Sequence, residues 1–281
     1  ISAMRGHKVT LFDQRPELGG QINYAVKIPG KEEFYEVLRF YRVMLEKYGV
    51  ELKLGQVVSA ETTISGNYDA VVLATGVQPR KIELEGSNHP KVLTYLDVLD
   101  KERIVGQKVA VIGAGGIGID VAHFLTAQTP FSGEVPDYLQ EYGILDSEAA
   151  LALRKPKKRE VTVLQRSVEK IGKRLGKTTG WAHIQTLKSH GVQLLPGATY
   201  LKIDDYGLHV RVALKKGGEP QEIVLEVDNV IVAAGQEPKR DMETSLRKTG
   251  LEVHVIGGAK ETSGLDAETA IKDGAELAVK F

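Results

Sequence analysis

Residues 108–118 read KVAVIGAGGIG, and this stretch decides the fold. Residues 108–112 form a short apolar run, the pattern of a strand that is buried on both faces. Glycines follow at once at positions 113, 115 and 118, in the spacing G-x-G-x-x-G, and apolar residues then repeat at helical spacing from 117 to 127. A strand, a glycine turn and a helix in this order predict a Rossmann-type unit.

Each glycine of this motif has a separate task. Gly113 permits the tight turn, Gly115 lets a pyrophosphate approach the backbone, and Gly118 lets the helix pack close to the strand. The unpaired amides at the start of the helix, around Gly116 and Ile117, would then face the phosphates. The motif therefore predicts a dinucleotide site; the alternative is a glycine turn that serves the fold alone.

The tip of the following strand indicates which dinucleotide binds. Residues 161–164 form that strand after a long insertion, and it ends in Gln165 and Arg166 rather than in an acid. An acid would hold a free ribose 2′-hydroxyl, whereas an arginine pairs with a 2′-phosphate. Lys177 is one of several cations nearby in sequence. The pattern favours NADP(H) over NAD(H); the alternative is that Arg166 is an ordinary exposed arginine.

Working outward, the N-terminal region carries the pattern of a second nucleotide site. Residues 8–13 form a strand that ends in Asp13, an acid suited to an adenosine ribose, although an aspartate there is also a common turn former. Gly20 and Gln21 follow, and small residues allow the backbone to approach a ligand. Residues 1–6 read as the last turn of a helix, so we expect the first strand and glycine loop of this unit before Ile1.

Two buried strands end in small residues, and this internal similarity suggests two related nucleotide-binding units. The first is followed by the tripeptide Ala74, Thr75 and Gly76, and the second by the tripeptide Ala234, Gly235 and Gln236. Ligands bind at the carboxyl ends of the strands in an open α/β sheet. Each tripeptide alone is weak, but the pair with the glycine motif between them favours two cofactor sites.

The last strand and helix offer a further cofactor contact. Residues 253–256 form a strand that runs into Gly257 and Gly258, and Asp266 then caps a helix that begins at Ala267. The start of that helix would point its amides at the phosphates or polyol of a cofactor. The alternative for Asp266 is capping alone.

Composition excludes several classes of function. A chain of 281 residues is long enough for two domains, and its 37 basic and 37 acidic residues cancel, which argues against a nucleic-acid footprint. The chain has no cysteine, which excludes disulfides, a Cys-ligated metal or cluster and a thiol nucleophile. No apolar run is long enough to span a membrane.

The sequence shows no catalytic constellation of its own. The seven histidines have no HxxxH or HExxH spacing, so we predict no metal site, and no serine lies in a GxSxG elbow. We therefore predict no catalytic side chain. Any chemistry would belong to cofactors that the protein binds and orients.

The chain resembles the two-dinucleotide flavoproteins, in which an NAD(P)H domain is inserted into an FAD domain. More closely, it resembles the C-terminal half of the bacterial NADPH-dependent 2,4-dienoyl-CoA reductases, which belong with old yellow enzyme and trimethylamine dehydrogenase. The resemblance covers essentially the whole chain. Its most specific stretches are VTLFD at 9–13, LGGQ at 18–21, IPGKEEFY at 28–35, HPKVL at 89–93, YLDVL at 95–99, LGKTTGW at 175–181 and AGQEP at 234–238.

The resemblance implies an α/β fold with two Rossmann-like units. The NADP(H) unit, residues 105–236, would be inserted into a discontinuous FAD unit made of residues 1–104 and 237–281. The first strand of that FAD unit would be missing from this chain.

The resemblance also implies the residues that contact each cofactor. Asp13 would hold the adenosine ribose of FAD, with Gly20 and Gln21 along the cofactor, Lys31 near it and the backbone of Val58 at the adenine. The remaining contacts would be Ala74, Thr75 and Gly76 closing the FAD pocket, Gly257, Gly258, Asp266 and Ala267 flanking the ribityl chain and flavin, and Gly113 to Gly118 with Arg166 holding NADPH.

The activity that the resemblance implies is hydride transfer from NADPH to FAD. In such enzymes the electrons pass to a four-iron four-sulfur cluster and to FMN, which reduces a 2,4-dienoyl-CoA in unsaturated fatty acid oxidation. The cluster and FMN belong to an N-terminal old-yellow-enzyme-like barrel, which is expected on the same polypeptide.

Two alternatives stay open: an NADP(H)-binding fragment without turnover, and an NADH-dependent relative that reduces another enone or oxidises an amine. We expect no nucleic-acid or membrane partner and a cytoplasmic location.

Overall fold

A computed structural model describes residues 1–127, 139–144, 146–148, 159–173, 175–176, 178–213 and 218–281. The chain divides into two compact units. The first unit joins Ile1–Arg80 to Gln236–Phe281, and the second is the continuous stretch Lys81–Gly235.

The helices and strands of the described residues are numbered along the chain. The strands are β1 (Thr10–Asp13), β2 (Glu51–Leu54), β3 (Ala70–Leu73), β4 (Val77–Pro79), β5 (Val92–Thr94), β6 (Lys108–Ile112), β7 (Glu160–Gln165), β8 (Gln193–Pro196), β9 (Thr199–Asp204), β10 (Gly207–Val212), β11 (Gln221–Leu225), β12 (Asn229–Val232), β13 (Gln236–Pro238) and β14 (Glu252–Val255). The helices are α1 (Ile22–Ala25), α2 (Phe34–Lys47), α3 (Ala60–Ser65), α4 (Tyr95–Leu99), α5 (Gly116–Thr126), α6 (Gly180–Ser189), α7 (Glu243–Arg247) and α8 (Ala267–Ala278).

The second unit is built on a parallel sheet. Its strands lie in the order β5-β12-β6-β7-β8, and every neighbouring pair runs parallel. Val109, Val111 and Val163 are fully buried in it, as are Val230 and Ile231. Parallel strands are covered on both faces, which explains why they read as continuous apolar runs. This confirms the predicted α/β class.

The start of the second unit differs from the predicted boundary at residue 105. Strand β5 pairs with β12, with Val92 opposite Val230, so it is an edge strand of the parallel sheet. Upstream, the amide of Ile203 donates to the Glu85 carbonyl oxygen at 2.9 Å. Residues 81–104 therefore pack with the second unit, although nothing local in their sequence marks this long-range pairing.

An antiparallel sheet forms a second layer of the same unit. Strands β10 and β11 pair antiparallel, with Leu208 opposite Leu225. The sequence predicts a hairpin here with its turn at residues 215–218, of which 215–217 lie outside the described residues. Strand β9 pairs with the other edge of β10 and has no clear signal in the sequence. Leu208 and Val210 pack against Ile112 and Leu164 of the parallel sheet, which closes the core.

The first unit contains two separate parallel pairs. Strand β1 pairs with β2, and β3 pairs with β14, whereas β4 and β13 form an antiparallel ladder. Leu73, Leu246 and Val253 form its buried cluster. The sequence predicts a further strand at 56–58, but Gly55 turns the chain at φ 69° and those residues form no strand.

The glycine ends of the early helices agree with the sequence. Gly6 closes the turn Ala3–Arg5 at φ 95°, with its amide bonded to the Ala3 carbonyl oxygen. The sequence predicts a helix over residues 32–48 that Gly49 ends; helix α2 fills most of that range, and Gly49 follows it at φ 64°. Among the described residues, no helix is long and apolar enough to cross a membrane.

Candidate functional site

The glycine motif of the second unit forms the turn between β6 and α5. Gly113 has φ 110°, and a side chain there would place its Cβ 2.3 Å from the Ala233 carbonyl oxygen. A Cβ on Gly118 would lie 1.9 Å from the Gly113 carbonyl oxygen. Gly113 is therefore required for the turn, and Gly118 is required for the close approach of the helix to that turn.

The same turn leaves open space in front of the helix start. Gly115 and Gly116 are exposed, and a Cβ built on either would meet nothing within 4 Å. The first backbone bond of α5 runs from the Ile119 amide to the Gly115 carbonyl oxygen, so the amides of Gly116, Ile117 and Gly118 have no acceptor within the helix. Free amides beside an open cradle suit the pyrophosphate of a dinucleotide.

The ends of the two neighbouring strands flank this turn. On one side, β12 runs into Ala234 and Gly235, and Gly235 has φ 110°. On the other side, β7 ends at Gln165, and the Gly113 amide donates to the Leu164 carbonyl oxygen at 2.9 Å. The structure thus brings the predicted residues of β6, β7 and β12 to one edge of the sheet.

The side chain of Gln165 is used within the protein. Its amide nitrogen donates to the Ser167 carbonyl oxygen at 3.0 Å and also to the carbonyl oxygen of Glu169. The Ala198 amide donates to the backbone oxygen of Gln165 at 2.9 Å. Gln165 therefore shapes the loop that carries Arg166, a role that its position in the sequence alone does not reveal.

Arg166 is exposed at the tip of β7, and its guanidinium acts electrostatically on Tyr200. Burial raises the pKa of Tyr200 to about 12, and the nearby arginine partly opposes that rise. Lys173 forms an ion pair with Glu169 at 2.6 Å. Tyr200 was not among the predicted site residues, because β9 itself had no signal in the sequence. Lys177, predicted to add positive charge, lies outside the described residues.

In the first unit, the ends of β3 and β14 lie side by side. The Ile256 amide donates to the Leu73 carbonyl oxygen at 3.0 Å, so the residues after each strand, Ala74 to Gly76 and Gly257 to Ala259, meet at one edge. Gly258 is buried there, and a Cβ added to it would lie 2.7 Å from Cγ1 of Val77.

The residues that follow β3 are tied to β13 and yet remain open to a ligand. The Thr75 hydroxyl donates to the Lys239 carbonyl oxygen, and the Lys239 amide donates to the Gly76 carbonyl oxygen at 2.9 Å. Ala74 and Thr75 are exposed, and a Cβ on Gly76, at φ 72°, would meet nothing within 4 Å. This open edge suits a flat or extended cofactor.

Helix α8 begins beside this edge with a reciprocal cap. The Asp266 carboxylate accepts from the Thr269 amide at 2.7 Å, and the Asp266 amide donates to the Thr269 hydroxyl at 3.0 Å. The hydrogen bond from the Thr269 amide holds the pKa of Asp266 below its ordinary value. The amides from Ala267 onward give this helix start a partial positive charge, which the negative Asp266 carboxylate partly offsets.

The predicted residues after β1 form a second group in the first unit. Asp13, at the end of β1, accepts the Arg15 amide at 2.8 Å, and its backbone oxygen accepts the Gln56 amide at 3.0 Å. Gly20, at φ 51°, faces open space and leads through Gln21 into α1. Two further predicted residues, Val58 after β2 and Lys31 before α2, are half-buried.

Arg15 is a residue of this group that sequence reasoning missed. Its guanidinium donates to the Tyr24 hydroxyl at 2.8 Å, lies over the Tyr24 ring at 5.3 Å and approaches Glu17 at 3.6 Å. These contacts hold the loop between β1 and α1, where Gly20 lies. The described residues contain no group of three or more His, Cys, Asp or Glu that would hold a metal ion.

Comparisons with known proteins agree with this geometry. The model of the pyridine nucleotide-disulphide oxidoreductase family matches residues 2–268. The metal reductase of Desulforamulus reducens is 27% identical over 263 residues, which are 92% of this chain and 38% of that protein. The cinnamate reductase of Clostridium sporogenes is 27% identical over 272 residues, which are 94% of this chain and 35% of that protein.

Among solved structures, a 2-naphthoyl-CoA reductase in complex with 2-naphthoyl-CoA matches with a TM-score of 0.82 and 26% identity, over 100% of this chain and 37% of that one. The chain thus spans between a third and two fifths of the length of these relatives. The chain belongs to the pyridine nucleotide-disulphide oxidoreductase family, whose Rossmann-like fold binds FAD and a nicotinamide dinucleotide.

Proposed function

We propose that this chain is the NADPH-oxidising module of a larger flavoprotein reductase, and that its first unit holds FAD while its second unit holds NADPH. The observation that carries the proposal is the open glycine turn after β6, with Arg166 exposed at the tip of the neighbouring strand. Bound FAD would accept a hydride from the reduced nicotinamide. The protein's own part is to bind and orient the two dinucleotides.

The residues at the edge of the second unit would hold NADPH by its anionic groups. The amides of Gly116 to Gly118 would bind the pyrophosphate at the start of α5. Arg166 would pair with the 2′-phosphate, because a guanidinium makes charge-assisted hydrogen bonds to a phosphate and no acid stands at the tip of β7 to repel it. Gln165 would act indirectly, by fixing the loop through Ser167 and Glu169.

The residues of the first unit would hold FAD along two strand ends. Asp13 would accept hydrogen bonds from the ribose hydroxyls, with Gly20 and Gln21 allowing the cofactor to approach the backbone. The open residues Ala74, Thr75 and Gly76 would face the flavin side, with Gly257, Gly258, Asp266 and Ala267 beside them. The backbone of Val58 would contact the adenine, and Lys31 would lie near the cofactor.

We further propose that the whole enzyme reduces a conjugated carbon–carbon double bond. The chain has no cysteine, so within these residues the electrons from FAD have no redox disulfide to reduce. Relatives are named cinnamate reductase and 2-naphthoyl-CoA reductase, and both names denote conjugated substrates. A 2,4-dienoyl-CoA is the substrate we favour, with an old-yellow-enzyme-like barrel carrying FMN and a four-iron four-sulfur cluster on the same polypeptide.

The proposal is tested by flavin reduction. Protein loaded with FAD should lose its visible flavin absorbance when NADPH is added without oxygen, and it should do so at lower concentrations of NADPH than of NADH. Arg166→Ala should raise the Kd for NADPH about 10- to 100-fold, because the binding free energy of a hydrogen bond between charged groups is lost. The Kd for NADH should stay unchanged.

Arg211 provides the matched control, since it is an exposed arginine of the same unit that pairs with Glu222 at 2.5 Å. Arg211→Ala should change neither affinity. A protein that never takes up FAD would refute the proposal that the chain is a flavin-reducing module. If the ratio of the Kd for NADPH to the Kd for NADH is the same in Arg166→Ala as in the wild type, Arg166 does not bind the 2′-phosphate.

A further inference from the structure

Asp273 lies in the middle of α8 and reaches back to the turn that follows β14. Its Oδ2 accepts the Gly257 amide at 2.8 Å, and its Oδ1 pairs with Nζ of Lys260 at 3.1 Å. The side chain is only 26% exposed. One carboxylate therefore ties both ends of the segment from Gly257 to Lys260.

That segment needs an anchor because it is irregular and tightly placed. Gly257 has φ 57°, in the left-handed region, and starts the short turn Gly257–Ala259. A Cβ on Gly258 would lie 2.7 Å from Cγ1 of Val77 and 2.9 Å from Cδ2 of Leu265. Position 258 therefore has no room for a side chain, and the turn packs closely against Val77 and Leu265.

The charge of Asp273 strengthens both bonds. The hydrogen bond from the Gly257 amide holds its pKa below the ordinary value; burial opposes this, and Lys260 reinforces it. The group is therefore ionised at neutral pH, and an ionised acceptor makes a stronger hydrogen bond than a neutral one.

We infer that Asp273 is a positioning residue for the flavin dinucleotide, because it fixes the backbone of Gly257–Ala259 at the edge where β3 and β14 end. This inference rests on the proposed function, which places FAD at that edge. Asp273 touches the turn rather than the cofactor. Its contribution is to hold the turn in place before the cofactor binds, so that binding does not have to order it.

The test compares, in the full chain, two replacements whose side chains have the same number of heavy atoms and the same branching at Cγ. Asp273→Asn keeps an oxygen that can accept the Gly257 amide, whereas Asp273→Leu leaves that amide without its acceptor. We expect the Kd for FAD, measured by quenching of flavin fluorescence, to rise about 10- to 100-fold in Asp273→Leu and to stay within about threefold of wild type in Asp273→Asn.

A second measurement tests whether Asp273 holds the turn in the protein without FAD. Hydrogen exchange of the Gly257 amide in the apoprotein should be faster in Asp273→Leu than in the wild type and close to wild type in Asp273→Asn. Glu276→Leu is the control: Glu276 is an exposed carboxylate on the same helix, paired with Lys272 at 3.7 Å. Glu276→Leu should alter neither FAD affinity nor this exchange rate.

The outcomes separate the inference from the function beneath it. A wild-type protein that does not bind FAD would overturn both. If the wild type binds FAD and Asp273→Leu binds it equally well, Asp273 is not a positioning residue, but the proposed function is not contradicted. If Asp273→Asn or Glu276→Leu loses as much affinity as Asp273→Leu, the effect belongs to the stability of α8, and the inference is likewise overturned.

Discussion

At the scale of single residues, Gly118 shows how one missing methyl group shapes the turn between β6 and α5. Its hydrogen faces the Gly113 carbonyl oxygen, where a Cβ would lie at 1.9 Å. Alanine has the better helix propensity, by about 1 kcal/mol, but a clash with backbone cannot be relieved by a rotamer change. The clash therefore outweighs the gain in propensity.

We expect Gly118→Ala to lower the free energy of unfolding by about 1–3 kcal/mol, the usual cost of overpacking. Urea denaturation measures the change. Gly116→Ala is the matched control, because a Cβ there meets nothing within 4 Å and the same helix carries it. A Gly118→Ala protein as stable as Gly116→Ala would show that α5 does not need to pack this closely.

At the scale of elements, Asp266 at the start of α8 has two possible roles, which are to cap the helix and to contact the cofactor with its charge. Asp266 accepts the Thr269 amide at 2.7 Å, so its carboxylate is engaged in capping. Serine is an equally good N-cap but carries no charge, whereas alanine cannot cap at all. Replacing Asp266 with each in turn separates the cap from the charge.

We expect Asp266→Ala to lower the Tm by about 2–4 °C, whereas Asp266→Ser keeps both the Tm and the affinity for FAD near their wild-type values. Thermal unfolding and flavin binding measure these changes. A large loss of FAD affinity in Asp266→Ser, with its Tm intact, would mean that the carboxylate itself contacts the cofactor.

At the scale of the whole molecule, the division of the chain predicts that the second unit folds independently. Lys81–Gly235 is continuous and has its own parallel sheet and core. Domains with their own core commonly fold alone. The first unit is assembled from two segments, Ile1–Arg80 and Gln236–Phe281, and holds all the residues that we assign to FAD.

We expect a fragment of residues 81–235 to unfold cooperatively and to bind NADPH with a Kd within about threefold of that of the full chain, a difference below 1 kcal/mol, and not to bind FAD. Calorimetric titration measures both affinities. A fragment of residues 105–235, which begins at the boundary predicted from the sequence, lacks β5 and α4 and should be less stable. Equal stability of the two fragments would contradict the placement of residues 81–104.

By itself, the sequence determined the features whose cause is local. The spacing of Gly113, Gly115 and Gly118 encodes a turn and a helix start, so this local geometry could be read directly, and the binding of a dinucleotide to it stays a prediction. The small residues after β3 and β12 likewise marked the strand ends at which we propose that the cofactors bind, because ligands of open α/β sheets bind at the carboxyl ends of the strands.

Only the tertiary structure decided the features that depend on distant pairing. The pairing of β5 with β12 joins residues more than a hundred positions apart, and no local pattern in residues 81–104 predicts this pairing. The same holds for Tyr200 beside Arg166, and for the bond from Asp273 to the Gly257 amide. A local pattern fixes backbone angles and burial, whereas partners brought together by the packing of the whole chain leave no local trace.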